Sequence, residues 1–278
     1  MKLIDGKAIS AQIRSELAEK TKKLKEEKGI VPGLAVIIVG EDPASQIYVR
    51  NKARACEELG FHSEVYRLPA ETSETELEAL IDKLNVDANI HGILVQLPLP
   101  KGFNEKALLL RISPDKDVDA FHPYNVGRIS TGDYGFLPCT PAGVMELLKR
   151  SDIDVAGKNC VVIGRSNIVG KPMAMLLLNA NATVTVCHSK TQNLKEVCKN
   201  ADILVSAVGK AGFVTEDMVK EGAVVIDVGM NRDANGKLCG DVDFDNVAPK
   251  TSYITPVPGG VGPMTITMLM RNTLFSAN

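Results

Sequence analysis

Tyr48 and Lys52 stand four residues apart in the run Tyr48-Val49-Arg50-Asn51-Lys52, a spacing that stacks both side chains on one face of a helix. A surface tyrosine–lysine pair of this kind is common and usually inert. Two further polar residues lift it above that background, because both sit at strand ends facing the expected domain junction: Gln96 after Ile93-Leu94-Val95, and Asp119 in Lys116-Asp117-Val118-Asp119-Ala120-Phe121. In an open α/β sheet, ligands collect at the carboxyl ends of strands. A lysine held there among apolar groups loses part of the stabilisation of its ammonium form and can act as an acid or base near neutral pH.

A second constellation lies in the C-terminal half. Val161-Val162-Ile163 reads as a buried strand, Gly164-Arg165-Ser166-Asn167-Ile168-Val169-Gly170 as a turn, and Lys171-Pro172 as the start of a helix. Unbonded N–H groups at such a helix end favour a pyrophosphate. The spacing Gly-x-x-x-x-x-Gly is only part of the usual dinucleotide fingerprint, and an ordinary strand-turn-helix fits it equally well. The next strand end separates the cofactors. An NAD site places an acid there for the ribose 2′-hydroxyl, and an NADP site places donors or positive charge. This chain reads Val186-Cys187-His188-Ser189-Lys190-Thr191, without an acid, and Arg165 stands in the preceding loop. The phosphorylated cofactor is therefore expected. For Lys190, phosphate contact and solvated loop charge both stand as readings.

The third element is Pro256-Val257-Pro258-Gly259-Gly260-Val261-Gly262-Pro263-Met264-Thr265. Its three glycines and three prolines in ten residues define a stiff turn with accessible backbone, suited to close approach of a flat ligand. A structural interdomain turn is the alternative.

Positioning these residues requires an α/β frame. An opening helix is expected over 7–28, with Ile9, Ile13, Leu17 and Leu24 near one stripe. Strands over 34–39, 63–68 and 92–97 alternate with helices over 45–59 and 74–84. From Pro98 to Pro141 the pattern breaks, with one helical run over 104–112, and the domain junction falls here. Helix 142–150, strand 160–163, helix 172–179, strand 183–187, helix 194–199, strand 203–207, helix 215–221 and strand 224–228 then form a second doubly wound unit. A last helix, over 264–275, is placed to pack back on the first domain. The fold class expected is α/β with two domains: residues 1–138 with 264–278 as an αβα catalytic domain on a mainly parallel sheet, and residues 139–263 as a Rossmann-like dinucleotide domain.

Composition narrows the function. The 278 residues are 45% hydrophobic and carry a formal net charge of -2, so no broad basic field serves nucleic acid or a membrane surface. No apolar run is long enough to span a bilayer, and the start at Met1-Lys2-Leu3 has no export pattern. The six cysteines show no Cys-x-x-Cys pair or zinc spacing with histidine, so reduced thiols, no metal site and a cytoplasmic setting are expected.

The segments Tyr48–Lys52, Ile93-Leu94-Val95-Gln96-Leu97-Pro98-Leu99-Pro100, Lys116–Asp119 and Pro258–Thr265, in this order and separation, resemble the bifunctional methylenetetrahydrofolate dehydrogenase/methenyltetrahydrofolate cyclohydrolase family. The resemblance covers nearly the whole chain. It implies oxidation of methylenetetrahydrofolate with NADP, hydration of the methenyl cation to formyltetrahydrofolate, one cleft between the domains for both steps, and a homodimer. It also implies Lys52 as the catalytic lysine, Tyr48 stacking on the folate, Gln96 bonding the lysine and Asp119 holding the pterin. Val95 to Leu97 and Pro258 to Ile266, including Gly259, Gly260 and Gly262, would line the folate site. Gly164, Arg165, Ser166 and Ser189 would hold the cofactor, and Met230 would contact it.

The chemistry suits those roles. Hydride loss leaves a resonance-stabilised cation and needs no strong base, whereas hydration needs a group to take a proton from water, so Lys52 is expected to matter more for the second step. Two residues depart from the family pattern: Ala120 replaces a glycine, which costs energy if the backbone has positive φ, and Met230 replaces another apolar residue. A small-molecule NADP oxidoreductase of the hydroxy-acid or shikimate type is the competing enzyme reading, but His62, His91, His122 and His188 form no catalytic arrangement. An inert dinucleotide binder is the competing non-enzyme reading, and Lys52, Gln96 and Asp119 together disfavour it.

Overall fold

The computed structural model describes residues 1–278. In chain order the elements are β1 (Lys2–Leu3), α1 (Gly6–Lys28), β2 (Gly33–Val39), α2 (Pro43–Leu59), β3 (His62–Leu68), α3 (Glu74–Val86), β4 (Gly92–Val95), α4 (Glu105–Arg111), α5 (Pro123–Thr131) and α6 (Cys139–Arg150). There follow β5 (Asn159–Ile163), α7 (Gly170–Asn179), β6 (Thr183–Cys187), α8 (Leu194–Lys199), β7 (Ile203–Ser206), β8 (Val224–Asp227), β9 (Asn231–Arg232), β10 (Leu238–Cys239), α9 (Phe244–Val247), β11 (Tyr253–Ile254) and α10 (Val261–Ser276). The chain divides into two compact units, Gln12–Cys139 with Ile266–Asn278, and Met1–Ala11 with Thr140–Thr265.

In the first unit, β2 is an unbroken apolar run, Gly33-Leu34-Ala35-Val36-Ile37-Ile38-Val39, and every residue of it is buried. It is the central strand of a parallel sheet ordered β3-β2-β4, in which Val36 pairs with Val65 and Ile37 with Val95. A strand covered on both faces needs no polar alternation. Leu77, Ile81 and Leu84 of α3, spaced by one helical turn, pack with Ala35, Ile37, Val39, Ile93 and Val95, and each large side chain so buried contributes about 1.5–3 kcal/mol. A capping box starts α3: Glu76 N–H donates to Ser73 Oγ at 3.2 Å and Ser73 N–H to Glu76 Oε2 at 2.8 Å.

The second unit carries a six-stranded sheet in the order β1-β11-β8-β7-β5-β6, with every pairing parallel. Its apolar core gathers Val161, Ile163, Leu204 and Val225 from the strands with Cys187, Cys198, Met218 and Val247. The expected parallel α/β plan is thus present in both units. No helix is long and apolar enough to cross a membrane.

Three features differ from the sequence expectation. The sequence groups residues 1–11 with the N-terminal domain, yet Met1–Ala11 cluster with Thr140–Thr265. The reason is a ladder: Lys2 N–H donates to Ser252 O at 2.7 Å and Ile4 N–H to Ile254 O at 2.9 Å. Pro123–Thr131 forms a helix where the periodicity had broken. It has Pro123 in its first turn and Gly132 as a left-handed C-cap, but only Asn125 and Ile129 are buried, which leaves no apolar stripe to read. Residues 215–221 form only a 3-10 turn, Glu216–Met218, because the buried pair Met218 and Val219 is adjacent and not helically spaced.

Candidate active site

The buried positions of α2 are Ser45, Val49, Lys52, Ala55, Cys56 and Leu59, so Lys52 occupies the core stripe of its helix and not the solvent face. Asp42 caps the helix by accepting from Ser45 N–H at 2.8 Å, and Gly60, at φ 70°, ends it. The long lysine stem fills an apolar position and leaves only 9% of the residue exposed. Its Nζ donates to Gln96 Oε1 at 2.9 Å, and Gln96 Nε2 in turn donates to Leu97 O at 2.7 Å, which fixes the amide orientation. Burial pushes the Lys52 ammonium below its usual range, while Asp119 and Cys139 act in the opposite direction. Tyr48 is half-buried one turn earlier, and burial pushes its phenol up. Val95 is buried beside Gln96, and Leu97 is partly buried.

Asp119 sits in a turn held from two sides. Asp117, itself 3% exposed, accepts from His122 N–H at 2.8 Å and from Asn125 Nδ2 at 3.0 Å. Asn272 of α10 donates to Val118 O and to Leu137 O, both at 2.8 Å. The last helix therefore does brace the N-terminal unit. Ala120 has φ 57°, so the glycine-favouring backbone persists at this alanine. Cys139, unremarked as a site residue in the sequence, is buried here; its S–H donates to Val118 O at 3.4 Å, and burial, followed by Asp119, pushes its thiol well up.

In the C-terminal unit, Gly164 ends β5 with φ 126°, and a Cβ there would lie 2.4 Å from Ala207 O; one at Gly170 would lie 2.2 Å from Gly164 O. Only glycine allows this cradle. Ile163 pairs with Cys187, so Arg165 and Ser189 each follow by two residues on adjacent strands and stand at the same edge, both exposed. The helix-end amides are less free than expected: Ser166 Oγ accepts from Val169 N–H at 3.1 Å and Gly170 N–H at 3.3 Å, and Ser166 O accepts from Lys171 N–H at 3.0 Å. A serine that caps its own turn uses the donors a phosphate would otherwise take. The close glycine approach, Arg165 and the acid-free end of β6 still fit a phosphorylated dinucleotide.

Pro258, Gly259, Gly260 and Gly262 belong to the same unit, and Ile266 to the other. Lys7 N–H donates to Gly259 O at 3.1 Å, and a Cβ on Gly6 would meet Gly260 O at 1.8 Å, so this turn is welded to the start of α1. Met230 is exposed, with its Cε 3.8 Å from where a Cβ of Gly262 would stand. The structure thus joins Lys52, Gln96, Asp119 and Cys139 in one unit, and Gly164, Arg165 and Ser189, then Met230 and Gly262, in the other. Two further residues escaped the sequence reading, Asp227 and Asp241. The available signal was an acid ending the apolar run Val224-Val225-Ile226 and an acid flanked by Gly240 and Val242.

A buried lysine in one α/β unit and a glycine cradle on a Rossmann-like sheet in the other define a two-domain dinucleotide-dependent enzyme. Residues 4–119 match the family model described as "Tetrahydrofolate dehydrogenase/cyclohydrolase, catalytic domain", and residues 138–278 the one described as "Tetrahydrofolate dehydrogenase/cyclohydrolase, NAD(P)-binding domain". The chain belongs to the tetrahydrofolate dehydrogenase/cyclohydrolase family. It is 64% identical over 275 residues to the bifunctional protein FolD of Streptococcus pneumoniae serotype 4, covering 99% of this chain and 96% of that one. Its fold is similar to the crystal structure of the bifunctional enzyme FolD of Campylobacter jejuni, with 57% identity, a TM-score of 0.97 and coverage of 100% and 98%. It is also similar to the Trypanosoma brucei dehydrogenase-cyclohydrolase complexed with NADP cofactor and inhibitor, with 43% identity, a TM-score of 0.94 and coverage of 99% and 96%.

Proposed function

We propose that this chain oxidises methylenetetrahydrofolate to the methenyl cation with NADP and then hydrolyses that cation to formyltetrahydrofolate. The observation that carries the reading is Lys52, buried on the core stripe of α2 and held by Gln96. The dinucleotide, when bound, accepts the hydride that leaves the one-carbon bridge. Gly164, Arg165, Ser166 and Ser189 would hold it, with Arg165 and Ser189 as donors for the 2′-phosphate and Met230 as a contact on its loop.

Hydration needs a proton taken from water and one returned to a ring nitrogen. Lys52 suits both, since burial disfavours its ammonium form and so brings the free amine closer in energy. Gln96 aims Nζ by accepting a hydrogen bond from it, and its own amide is pinned by Leu97 O. Asp119 accepts from the N–H groups of the pterin, and Tyr48 stacks on it. Val95, Leu97 and Ile266 supply apolar contact, and the backbone of Pro258, Gly259, Gly260 and Gly262 admits a flat ring.

A homodimer is supported by β6, a sheet edge with Val186 exposed, and by the exposed Leu178 of α7. Six free thiols suit a reducing, cytoplasmic compartment. The test is one assay of purified protein with methylenetetrahydrofolate and NADP or NAD, following reduced cofactor and methenyl absorbance separately. Formation and decay of the methenyl compound with NADP are expected; reduced cofactor formed faster with NAD would overturn the cofactor assignment, and a stable methenyl product would overturn the cyclohydrolase.

A further inference from the structure

Asp241 is fully buried two residues after β10 and carries five hydrogen bonds on its carboxylate. Oδ2 accepts from Val208 N–H at 2.7 Å, Ser206 Oγ at 3.2 Å and Gly209 N–H at 3.3 Å. Oδ1 accepts from Lys210 N–H and from Asn231 Nδ2, both at 2.9 Å. Asp227, which ends β8, supports it from below: its Oδ1 accepts from Gly229 and Asp241 N–H, and its Oδ2 from Val242 N–H, all at 2.9 Å. Two glycines make room for this weave. A Cβ on Gly229 would meet Asp241 Oδ1 at 2.2 Å, and one on Gly240 would meet Asp227 Oδ2 at 1.9 Å.

Burying a carboxylate is expensive unless donors surround it. Here the donors are Ser206 Oγ at the end of β7, the backbone of 208–210 and the side chain of Asn231, so they come from the carboxyl ends of β7 and β8 and the loops that leave them. The first loop abuts the cofactor cradle, because Ala207 N–H donates to Ile163 O at 2.8 Å and Ala207 O forbids any side chain at Gly164. The second carries Met230. With Arg165 following β5 and Ser189 following its neighbour β6, the other mononucleotide of a bound dinucleotide would extend over β7 and β8, on the opposite side of β5.

We infer that Asp241 is a positioning residue for the nicotinamide half of the cofactor, setting the height of residues 207–210 and 228–231 at the sheet edge. This rests on the NADP-dependent reading above. An asparagine at 241 keeps one acceptor oxygen but points an amine at N–H groups that need an acceptor.

The test compares wild type, Asp241→Asn and Asn231→Ala in four measurements: calorimetric NADP titration of the cofactor-free protein, amide hydrogen exchange at 208–210, KM for NADP against kcat, and hydrolysis of methenyltetrahydrofolate without NADP. For Asp241→Asn, faster exchange at 208–210 and a loss of NADP affinity of about tenfold or more are expected, with hydrolysis held within about twofold. Asn231→Ala, which removes a single donor, shows the same pattern at about threefold. Parallel loss of hydrolysis and NADP binding would make Asp241 a fold residue only and overturn the inference, as would faster exchange with unchanged NADP affinity. If Asp241→Asn does not fold, Asn231→Ala decides, and unchanged NADP affinity there overturns the inference. Wild type that binds NADP but oxidises no folate would instead sink the dehydrogenase reading and leave the binding comparison valid.

Discussion

Lys52 and Gln96 lie 44 residues apart in sequence and meet as a single oriented contact, the lysine donating and the amide oxygen accepting. A neutral acceptor holds Nζ without the charge that would lock it as an ammonium. Gln96→Glu supplies that charge in nearly the same volume. It is expected to raise the Lys52 pKa, so that the pH profile of methenyl hydrolysis moves to higher pH and the rate at pH 7 falls at least about tenfold. An unmoved profile would show that Lys52 is not the titrating base.

Lys52→Met keeps an apolar stem in the stripe and removes the desolvated charge. Folding disfavours the protonated lysine, so the native state bears a penalty below the ordinary lysine pKa that vanishes above it. The variant is expected to be more stable near neutral pH, with the gain shrinking as pH rises towards 10.5. Hydrolysis falls by about a hundredfold or more, with folate binding retained. Denaturation curves at several pH values and single-substrate assays check both halves.

Ala120 combines a left-handed backbone with a fully buried methyl group. Relief of about 1–2 kcal/mol of strain in Ala120→Gly is offset by loss of about 0.8 kcal/mol of burial and by chain entropy, so stability stays within about 0.5 kcal/mol. Ala120→Val has no such offset, and a loss of more than about 2 kcal/mol is expected by chemical denaturation.

Asp227 is pushed up to about 6, first by burial and also by Asp241, against three backbone donors that pull it down. Its folded value exceeds the unfolded 3.8, so its contribution to stability is complete below pH 4 and is lost as pH rises through about 6. Relative to Asp227→Asn, wild type should lose on the order of 3 kcal/mol over that window. A flat difference would contradict the shift.

Arg165→Ala removes the exposed cation at the end of β5. KM for NADP is expected to rise about tenfold or more while KM for NAD changes little, because only the 2′-phosphate is lost as a partner. Equal effects on both cofactors would remove Arg165 from phosphate recognition.

The alternation of strands and helices was legible because β2, β4, β7 and β8 are buried at every position and read as unbroken apolar runs. The two-residue strands β1, β9, β10 and β11 were not, since a period of two cannot show in two residues. Tyr48 and Lys52 were visible by spacing, and Gln96 by ending a strand. Asn272 was not, because its value comes from Val118, 154 residues away. Asp241 was hidden in the same way, behind partners 10 to 35 residues upstream. Sequence spacing reports neighbours on one element and is silent on bonds that close long loops.

The pairing of β1 with β11 has a consequence for synthesis. Lys2 and Leu3 are synthesised long before the strand they join, at Tyr253 and Ile254. The sheet of the C-terminal unit therefore takes an edge strand from a segment made well before the rest of that sheet, and the pair closes only after β11 has emerged. Until the pair closes, β11 is an open edge, able to recruit a strand from another chain, so a segment starting at residue 140 is a poor candidate for independent expression.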